Sequence, residues 1–261
     1  MRSESIREFW DYRELFLFLV WKDVKVRYKQ TMLGASWAVI QPFLTMVVFT
    51  LFFGKFANMP SDGIPYPIFS YSALLPWTYF SGALSLAGNS LVANKNLLTK
   101  VYFPRVAIPA SSVLCGLVDF AIAFLVLLVM MAYYGIVPTW ELLLWPVLIL
   151  PLMSLALGGG MVLAALNVRY RDIKHAIPFA VQILLFISPI IYPTSVIPER
   201  YRTLMALNPL VGIIDAFRAT VLPTRHVDWQ QLGFSALTCL VVFLVGLFYF
   251  RKAEKHFADV I

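Results

Sequence analysis

Asp119 is the residue whose chemistry is most constrained by its surroundings, because it is the one acidic residue in the long apolar run "CGLVDFAIAF". A carboxylate left charged and unpaired in lipid costs several kcal/mol, so an acid within a membrane span is by default a candidate for binding a proton or an ion. The alternative is a structural acid that a Ser, Thr or Arg of a neighbouring helix satisfies. The sequence favours the structural alternative, since a proton-driven carrier usually shows more than one such group.

The sequence contains no residue pattern that is typical of a catalytic or cofactor-binding site. The other acids are scattered singly, and His175, His226 and His256 lie in different loops or tails, so we expect no metal site and no enzymatic centre. The phosphate-binding pattern G-x-x-x-x-G-K-[ST] is absent from the sequence, and the chain is therefore not expected to bind ATP itself. If ATP is used, a partner chain must bind it, and we expect no cofactor on this chain.

A cluster of positive charge precedes the first long apolar run, in "WKDVKVRYKQTMLGASW". It contains Lys22, Lys25, Arg27 and Lys29, and the three lysines share one face of a helical wheel. Residues 1–35 are therefore predicted to include an amphipathic helix that lies along the cytoplasmic membrane surface and attracts anionic lipid head groups. A simple positively charged anchor is an equally good interpretation.

Membrane spans are the elements that must position these residues. Hydrophobic residues make up 60% of the chain and charged residues 13%, with a mean hydropathy of +0.77, which is typical of a protein embedded in a bilayer. A helix needs roughly 20 mostly apolar residues to cross the membrane. Six segments satisfy this requirement, at 36–56, 66–92, 107–134, 142–166, 177–197 and 232–250, and they predict an all-α integral membrane protein of one domain, 1–261.

The distribution of Lys and Arg predicts the orientation of these spans. Sixteen of the 21 cations lie before the first span, between spans two and three, between spans four and five, or in the tail at 251–261. Because positively charged loops stay on the cytoplasmic side during insertion, both termini are expected in the cytoplasm.

The loop "NKNLLTKVYFPR" at 94–105 is too apolar for an idle cytoplasmic connection. A short helix with an exposed hydrophobic side would suit the docking of a soluble subunit. The alternative is a turn that packs on its own spans. The candidate docking residues are Asn94, Leu97, Leu98, Lys100, Tyr102 and Arg105.

The external segment 198–225 is predicted to form two short helices, divided by Asn208 and Pro209 and each too short to span a bilayer. Asp215 and Arg218 are three residues apart and can pair on one face of the second helix, while Phe217 packs elsewhere. These helices are expected at the outer interface, either as a lid over the external mouth or as structural bracing.

Aromatic residues are abundant, and flat rings can stack on sugars. Most of them are explained by interfacial belts and packing at the ends of spans. The better candidates for lining a channel have polar neighbours, and they are Tyr71, Trp77, Tyr79, Phe80 and Tyr192.

Four blocks of the sequence carry a resemblance to a known family. They are "RYKQTMLGASWAVIQP", "LLPWTYFSGALSLAGNSLVANKNLLTKVYFPR", "YRDIKHAIPFAVQILLFISPIIYP" and "LNPLVGIIDAFR". In this order, and with a six-span layout, they resemble the membrane subunits of ATP-binding-cassette exporters of O-antigen, capsular polysaccharide or teichoic acid.

The resemblance implies a bacterial inner-membrane permease that pairs with a second copy of itself and with two copies of a separate ATPase to export a lipid-linked polysaccharide. It also implies that residues 1–35 form an interface helix, that 94–105 couples to the ATPase, and that 198–225 provides external gate helices. The basic helix would then border the point where an anionic lipid carrier enters. Two alternatives stay open, namely an exporter of drugs or small lipids and an ATP-independent transporter that uses Asp119 as its ion site.

Overall fold

The computed structural model describes residues 11–29, 34–98, 103–170, 172–222 and 226–255, and these residues form helices and loops without a strand. The predicted all-helical class is therefore confirmed for these ranges. The helices are α1 (Arg13–Lys29), α2 (Trp37–Phe49), α3 (Tyr66–Ala93), α4 (Lys95–Leu98), α5 (Ala107–Tyr133), α6 (Trp145–Arg169), α7 (Ile173–Ile187), α8 (Glu199–Ala206), α9 (Pro209–Val221) and α10 (Trp229–Glu254). Helix α2 continues through a π-helical segment, Thr50–Phe56.

Four helical stretches in the described ranges are long and apolar enough to cross a membrane. They correspond to the predicted spans one, three, four and six, and their bounds are Trp37–Phe56, Ala107–Tyr133, Trp140–Arg169 and Trp229–Glu254. Helices α8 and α9 would add a fifth if taken as one broken span, but they are bent by 103° to each other. The described residues therefore contain four apolar spans by length and composition, where the sequence predicted six.

The predicted second span is present as helix α3, but it is not among the four apolar stretches because polar side chains occur along much of its length. Its 28 residues are more than enough to cross a bilayer, and its principal neighbours are α5 and α6. Most of its side chains are buried. Helix α3 is therefore the central helix of the bundle.

The predicted fifth span, 177–197, is wrong as a continuous helix. Helix α7 ends at Ile187 after 15 residues, or about 22 Å, which is short of the ~30 Å of hydrocarbon. Ser188 adopts an extended conformation, with ψ at 150°, because it precedes Pro189 and a residue before proline is pushed out of the helical region. The chain then continues as turns to Pro193.

Helices α6 and α10 approach each other closely where Gly158 meets Gly246. A Cβ atom built on Gly246 would lie 2.3 Å from the Gly158 carbonyl oxygen, which is too close for any side chain. A second close approach joins α6 to α3, where a Cβ on Gly160 would lie 2.5 Å from the Cβ of Ala87. Small residues of this kind let membrane helices pack backbone against backbone.

Candidate functional site

Helix α1 docks on the bundle through its polar side chains as well as its apolar ones. The Lys22 ammonium donates to the Asn94 side-chain oxygen at 2.7 Å, and Ser111 on α5 donates to the Asp23 carboxylate at 2.9 Å. Leu19, about one turn earlier on α1, is buried. These contacts join the basic helix to the loop that follows α3 and to the first turns of α5.

The Asp119 carboxylate holds the other end of α1. Arg27 places Nη2 2.6 Å from Asp119 Oδ2, and the Tyr28 hydroxyl donates to Asp119 Oδ1. Burial, reinforced by the hydrogen bond to this carboxylate, raises the pKa of Tyr28, so its hydroxyl keeps the proton that it donates. The pairing agrees with the structural alternative of the sequence analysis, in which an arginine of another helix satisfies Asp119.

The position of this ion pair differs from the one expected for a helix that lies along the membrane surface. Asp119 comes twelve residues after Ala107, where α5 begins, which places it about 18 Å along that helix. The last turn of α1 therefore meets α5 near its middle, and α1 runs up against the bundle instead of remaining at its end.

A pocket of about 330 Å³ opens beside the ion pair, between α1, α2, α3 and α5. Arg27, Tyr28 and Asp119 form one side of it. The opposite sides combine hydroxyl and amide groups with aromatic rings, from Trp37, Gln41, Thr78, Tyr79, Ser81 and Phe120. Arg27 is paired with Asp119, but a guanidinium has five N–H donors. Together with the uncharged hydrogen-bonding groups opposite, it can therefore still bind an anionic head group or a polar ring of similar size.

The four predicted cations of α1 divide into two pairs. Lys22 and Arg27 have partners within the chain, whereas Lys25 and Lys29 are exposed. The exposed pair borders a shallow groove of about 510 Å³ that also includes Phe18, Trp21 and Val26. Lys25 and Lys29 are therefore the cations most open to lipid phosphate at the surface of α1, while Lys22 and Arg27 also position the helix.

The predicted docking loop forms the one-turn helix α4, Lys95–Leu98. Leu97 and Leu98 are half-buried and pack on a cluster that includes Leu19, Leu91 and Phe103. This packing supports, for the two leucines, the alternative that they rest on their own spans.

Arg105 is also held within the chain. Its Nη1 donates to the Glu254 carbonyl oxygen at 2.8 Å, and its Nε lies 3.9 Å from a Glu254 carboxylate oxygen. Lys100 and Tyr102 lie outside the described residues.

The external segment contains the two predicted helices, and the predicted pairing is confirmed, with Arg218 Nη1 3.4 Å from Asp215 Oδ1. Nearly all residues of the second helix, α9, are buried by the rest of the chain, while its location at the outer interface stays a prediction. Arg218 has no exposed surface, donates through Nη2 to the Pro189 carbonyl at 2.7 Å, and lies 3.9 Å above the Phe69 ring. Helix α9 is therefore a core element, which favours bracing over a mobile lid.

Phe217 belongs to an aromatic cluster in the same core. Its ring centroid lies 4.8 Å from that of Trp145 and 6.1 Å from that of Phe120. Trp145 in turn donates from Nε1 to the Thr220 hydroxyl at 2.7 Å. This cluster fixes α9 to α5 and α6.

Four of the five candidate channel residues are buried within the chain, namely Tyr71, Trp77, Tyr79 and Phe80. The Tyr71 hydroxyl donates to the Ala123 carbonyl at 3.2 Å, and the Tyr79 hydroxyl to the Val113 carbonyl at 3.3 Å. Tyr192 is half-buried, and its hydroxyl lies 3.2 Å from the carbonyl oxygens of Phe186 and Ile187. Their burial argues against a channel-lining role for Tyr71, Trp77 and Phe80, whereas Tyr79 reaches the pocket beside Asp119.

The part of the chain that the structure describes contains no candidate metal-binding site. No group of three His, Cys, Asp or Glu side chains in those residues is arranged to hold an ion. The functional question therefore rests on the pocket beside Asp119 and on the surfaces of α1 and α4.

Known proteins are similar to this chain over nearly its whole length. A family model described as "ABC-2 type transporter" matches residues 14–222. The chain is 33% identical over 258 residues to the O-antigen export system permease protein RfbA of Myxococcus xanthus, which covers 97% of this chain and 98% of that protein. It is 27% identical over 252 residues to the Klebsiella pneumoniae protein of the same name, covering 95% of each chain. It is also 27% identical over 244 residues to the polysialic acid transport protein KpsM of Escherichia coli, covering 92% of each.

Proposed function

Since this chain belongs to the ABC-2 type transporter family, we propose that it is the permease subunit of an ATP-driven exporter of a lipid-linked polysaccharide. The observation that carries the proposal is the end-to-end similarity to permeases named for O-antigen export, with no large unmatched region in either chain. These relatives are transport permeases and not enzymes. O-antigen, capsular polysaccharide and teichoic acid are the candidate cargoes.

The proposed assembly contains two copies of this chain and two copies of a cytoplasmic ATPase in the bacterial inner membrane. ABC-2 permeases work with an ATPase partner, and the lack of a phosphate-binding loop in this sequence is consistent with ATP bound on that partner. Six membrane spans with cytoplasmic termini are proposed, in which α3 and the α7 region complete the four apolar spans. Twofold dimers are the commonest protein oligomers, and two copies can enclose a wider conduit than one small bundle.

The pocket beside Asp119 is proposed to receive the charged head group of the lipid carrier. Lys25 and Lys29 attract the anion to the surface of α1, because each cation near an anionic surface contributes about 1 kcal/mol. Arg27 and Tyr28 then present a guanidinium and a hydroxyl to a phosphate oxygen. Asp119 keeps both groups at the wall of the pocket.

Helix α1 also gives the ATPase a mechanical route to this pocket. The ATPase is proposed to rest on the loop 94–105 and on α1, and Lys22 on that helix already binds Asn94 of the loop. Arg27 is five residues further along the same helix, so a displacement at Asn94 is carried to Asp119 by one rigid element over about 7 Å. A permease without a nucleotide site can receive energy only through contacts of this kind, which differ between the states of its partner.

The proposal is tested by complementation in cells whose own export permease gene has been deleted, with surface polysaccharide as the readout. The unaltered chain, expressed with its ATPase, is expected to restore surface polysaccharide. Arg27→Ala and Lys29→Ala are each expected to lower export while leaving insertion and ATPase association intact. The control is Lys55→Ala, because Lys55 is an exposed cation in the π-helical end of the first span.

Two outcomes separate the parts of the proposal. Failure of the unaltered chain to restore any polysaccharide, although it assembles with its ATPase, would remove the proposed function and favour an exporter of drugs or small lipids. Full export by both Arg27→Ala and Lys29→Ala would remove the head-group role of α1 and leave the family function in place. An ATP-independent carrier is disfavoured by the ion pair, because Asp119 is already occupied by Arg27.

A further inference from the structure

A second pocket lies at the opposite end of α10 from the contact between Arg105 and Glu254. Its volume is about 740 Å³, and this open pocket is bordered by the turn Thr194–Val196, by α8, by the start of α9 and by the first turns of α10. Helix α10 has 26 residues, so about 39 Å separate this pocket from the end of α10 that contacts Arg105. The second pocket shares no lining residue with the pocket beside Asp119, so it is a separate site.

The side chains around this second pocket are mainly those that form directional hydrogen bonds. Asp228, Gln230 and Gln231 come from α10 and the residue that precedes it, Arg202 from α8, and Thr194 and Ser195 from the turn. Apolar surface is supplied by Phe234, which is 48% exposed, and by Ile197, Met205, Ala206 and Val211. A ligand can therefore hydrogen-bond to the amides, the carboxylate and the guanidinium and stack on the accessible ring of Phe234.

Two of the polar groups are held in place by the backbone. Asp228 caps helix α10, since its Oδ1 accepts from the backbone N–H groups of Gln230 at 3.0 Å and Gln231 at 3.1 Å. Arg202 donates from Nε to the Ile197 carbonyl at 3.3 Å and lies 3.7 Å from Glu199. A guanidinium has five N–H donors, so these contacts orient it without using its full capacity.

The charge of the pocket selects the class of ligand. Arg202, the cation among the lining residues, already lies 3.7 Å from Glu199. Asp228 adds a second carboxylate, so the acids repel a phosphate or pyrophosphate that a guanidinium alone would attract. The single carboxylate among the lining residues is also too few ligands for a hard metal cation. An uncharged, polyhydroxylated molecule meets the donors and acceptors of this pocket and can place an apolar ring face on Phe234.

We propose that this pocket is a binding site for an uncharged carbohydrate segment, namely the sugar portion of the exported polymer, at a site separate from that of the lipid head group. The inference rests on the proposed function and adds a glycan subsite to it. A volume of this order, within the roughly 300–1,000 Å³ of small-molecule sites, holds a short oligosaccharide and not a whole polymer. The site therefore binds a few sugar units of the polymer at a time.

The test uses the permease with its ATPase in lipid nanodiscs. The probe is a short oligosaccharide fraction, released by mild acid from the surface polysaccharide of cells in which this permease supports export, and binding is followed by saturation-transfer NMR. Gln230→Ala combined with Phe234→Ala is expected to weaken binding about tenfold, the scale of one or two lost contacts. Asp228→Asn is expected to weaken it severalfold while keeping α10 folded, because asparagine also caps helices.

The control is Phe248→Ala, which removes an exposed ring, 73% accessible, near the other end of the same helix. It is expected to bind the oligosaccharide as the unaltered permease does. No saturation transfer to the unaltered protein, equal binding by the Gln230→Ala/Phe234→Ala variant, or displacement of the sugar by inorganic phosphate would each overturn the subsite. The complementation assay is independent of these results, so a subsite that fails in a chain that still restores export leaves the proposed function standing.

Discussion

The ion pair between Arg27 and Asp119 permits a prediction that ranks four variants. The two oppositely charged atoms are 2.6 Å apart, which corresponds to about 6 kcal/mol of attraction at an effective dielectric constant near 20. Most of this attraction is offset by lost hydration, and Arg27 retains 38% of its side-chain exposure, so solvent screens the pair. We therefore expect a net coupling of about 1–2 kcal/mol.

The side chains of Arg27 and Asp119 differ in solvent exposure, and this difference determines which substitution loosens the docking of α1 more. The Asp119 side chain is only 20% exposed, so Arg27→Gln leaves a half-buried carboxylate without its guanidinium. Asp119→Asn leaves Arg27, whose long side chain can turn toward water. Arg27→Gln is therefore expected to be the more damaging of the two, and the double variant is expected to be no worse than Arg27→Gln alone.

Hydrogen exchange of peptides from α1, measured by mass spectrometry on the purified complex, reports this docking directly. We expect exchange to accelerate about tenfold in Arg27→Gln and about threefold in Asp119→Asn, since about 1.4 kcal/mol corresponds to a factor of ten. Lys25→Gln is the matched control, because Lys25 is an exposed cation of the same helix. Additive effects in the double variant, a larger effect of Asp119→Asn, or an equal effect of Lys25→Gln would refute the argument.

Three further predictions concern packing and coupling. Gly246→Leu is expected to lower the melting temperature of the permease, since its Cβ would lie 2.3 Å from the Gly158 oxygen and overpacking costs about 1–3 kcal/mol. The control is Gly233→Leu on the same helix, where a Cβ meets nothing within 4 Å. Equal melting temperatures of the two variants would contradict this prediction. Arg218→Met is expected to destabilise the fold by about 3 kcal/mol or more because it leaves buried partners unsatisfied, and Arg218→Lys is expected not to rescue it, because an ammonium lacks the planar fork; a thermal melt near that of the unaltered protein would count against both. Leu97→Asp is expected to displace α4 from the apolar cluster on which it packs, because it places a charge on a half-buried apolar surface. It should thereby abolish co-purification of the ATPase while membrane insertion persists, and full ATPase stoichiometry would defeat the coupling assignment.

The features that sequence predicted well are those governed by local periodicity. Long apolar runs predicted the four apolar spans within a few residues, and the spacing of Asp215 and Arg218 predicted their ion pair, because residues three apart share a helix face. Asn208 was also a correct helix boundary, since its side chain accepts from the backbone N–H of Leu210 at 3.1 Å and so caps α9. Each of these depends on neighbours within about one or two helical turns.

The features that sequence missed depend on neighbours that are remote in the chain. Nothing local distinguishes an Asp119 that binds an ion from one held by Arg27 and Tyr28, which precede it by about 90 residues. The burial of α9 was missed for the same reason, because its apolar face suits a lipid interface as well as a protein core. Pro189 and Pro193 are a local signal against a continuous helix at 177–197, because the backbone restriction that proline imposes on the preceding residue outweighs an apolar composition.

The largest revision concerns the role of the basic helix. A count of cations treats Lys22, Lys25, Arg27 and Lys29 as equivalent, and equivalent charges predict a surface anchor. The structure gives Lys22 and Arg27 partners on two different elements, Asn94 and Asp119, so half of that charge positions α1 against the bundle. Since α1 can meet a membrane phosphate through Lys25 and Lys29 while it remains docked through the other two, neutralising Lys25 and Lys29 together should weaken attraction to anionic lipid without undocking the helix. Neutralising Arg27 should loosen the docking of α1 on α5, because it removes the partner of Asp119.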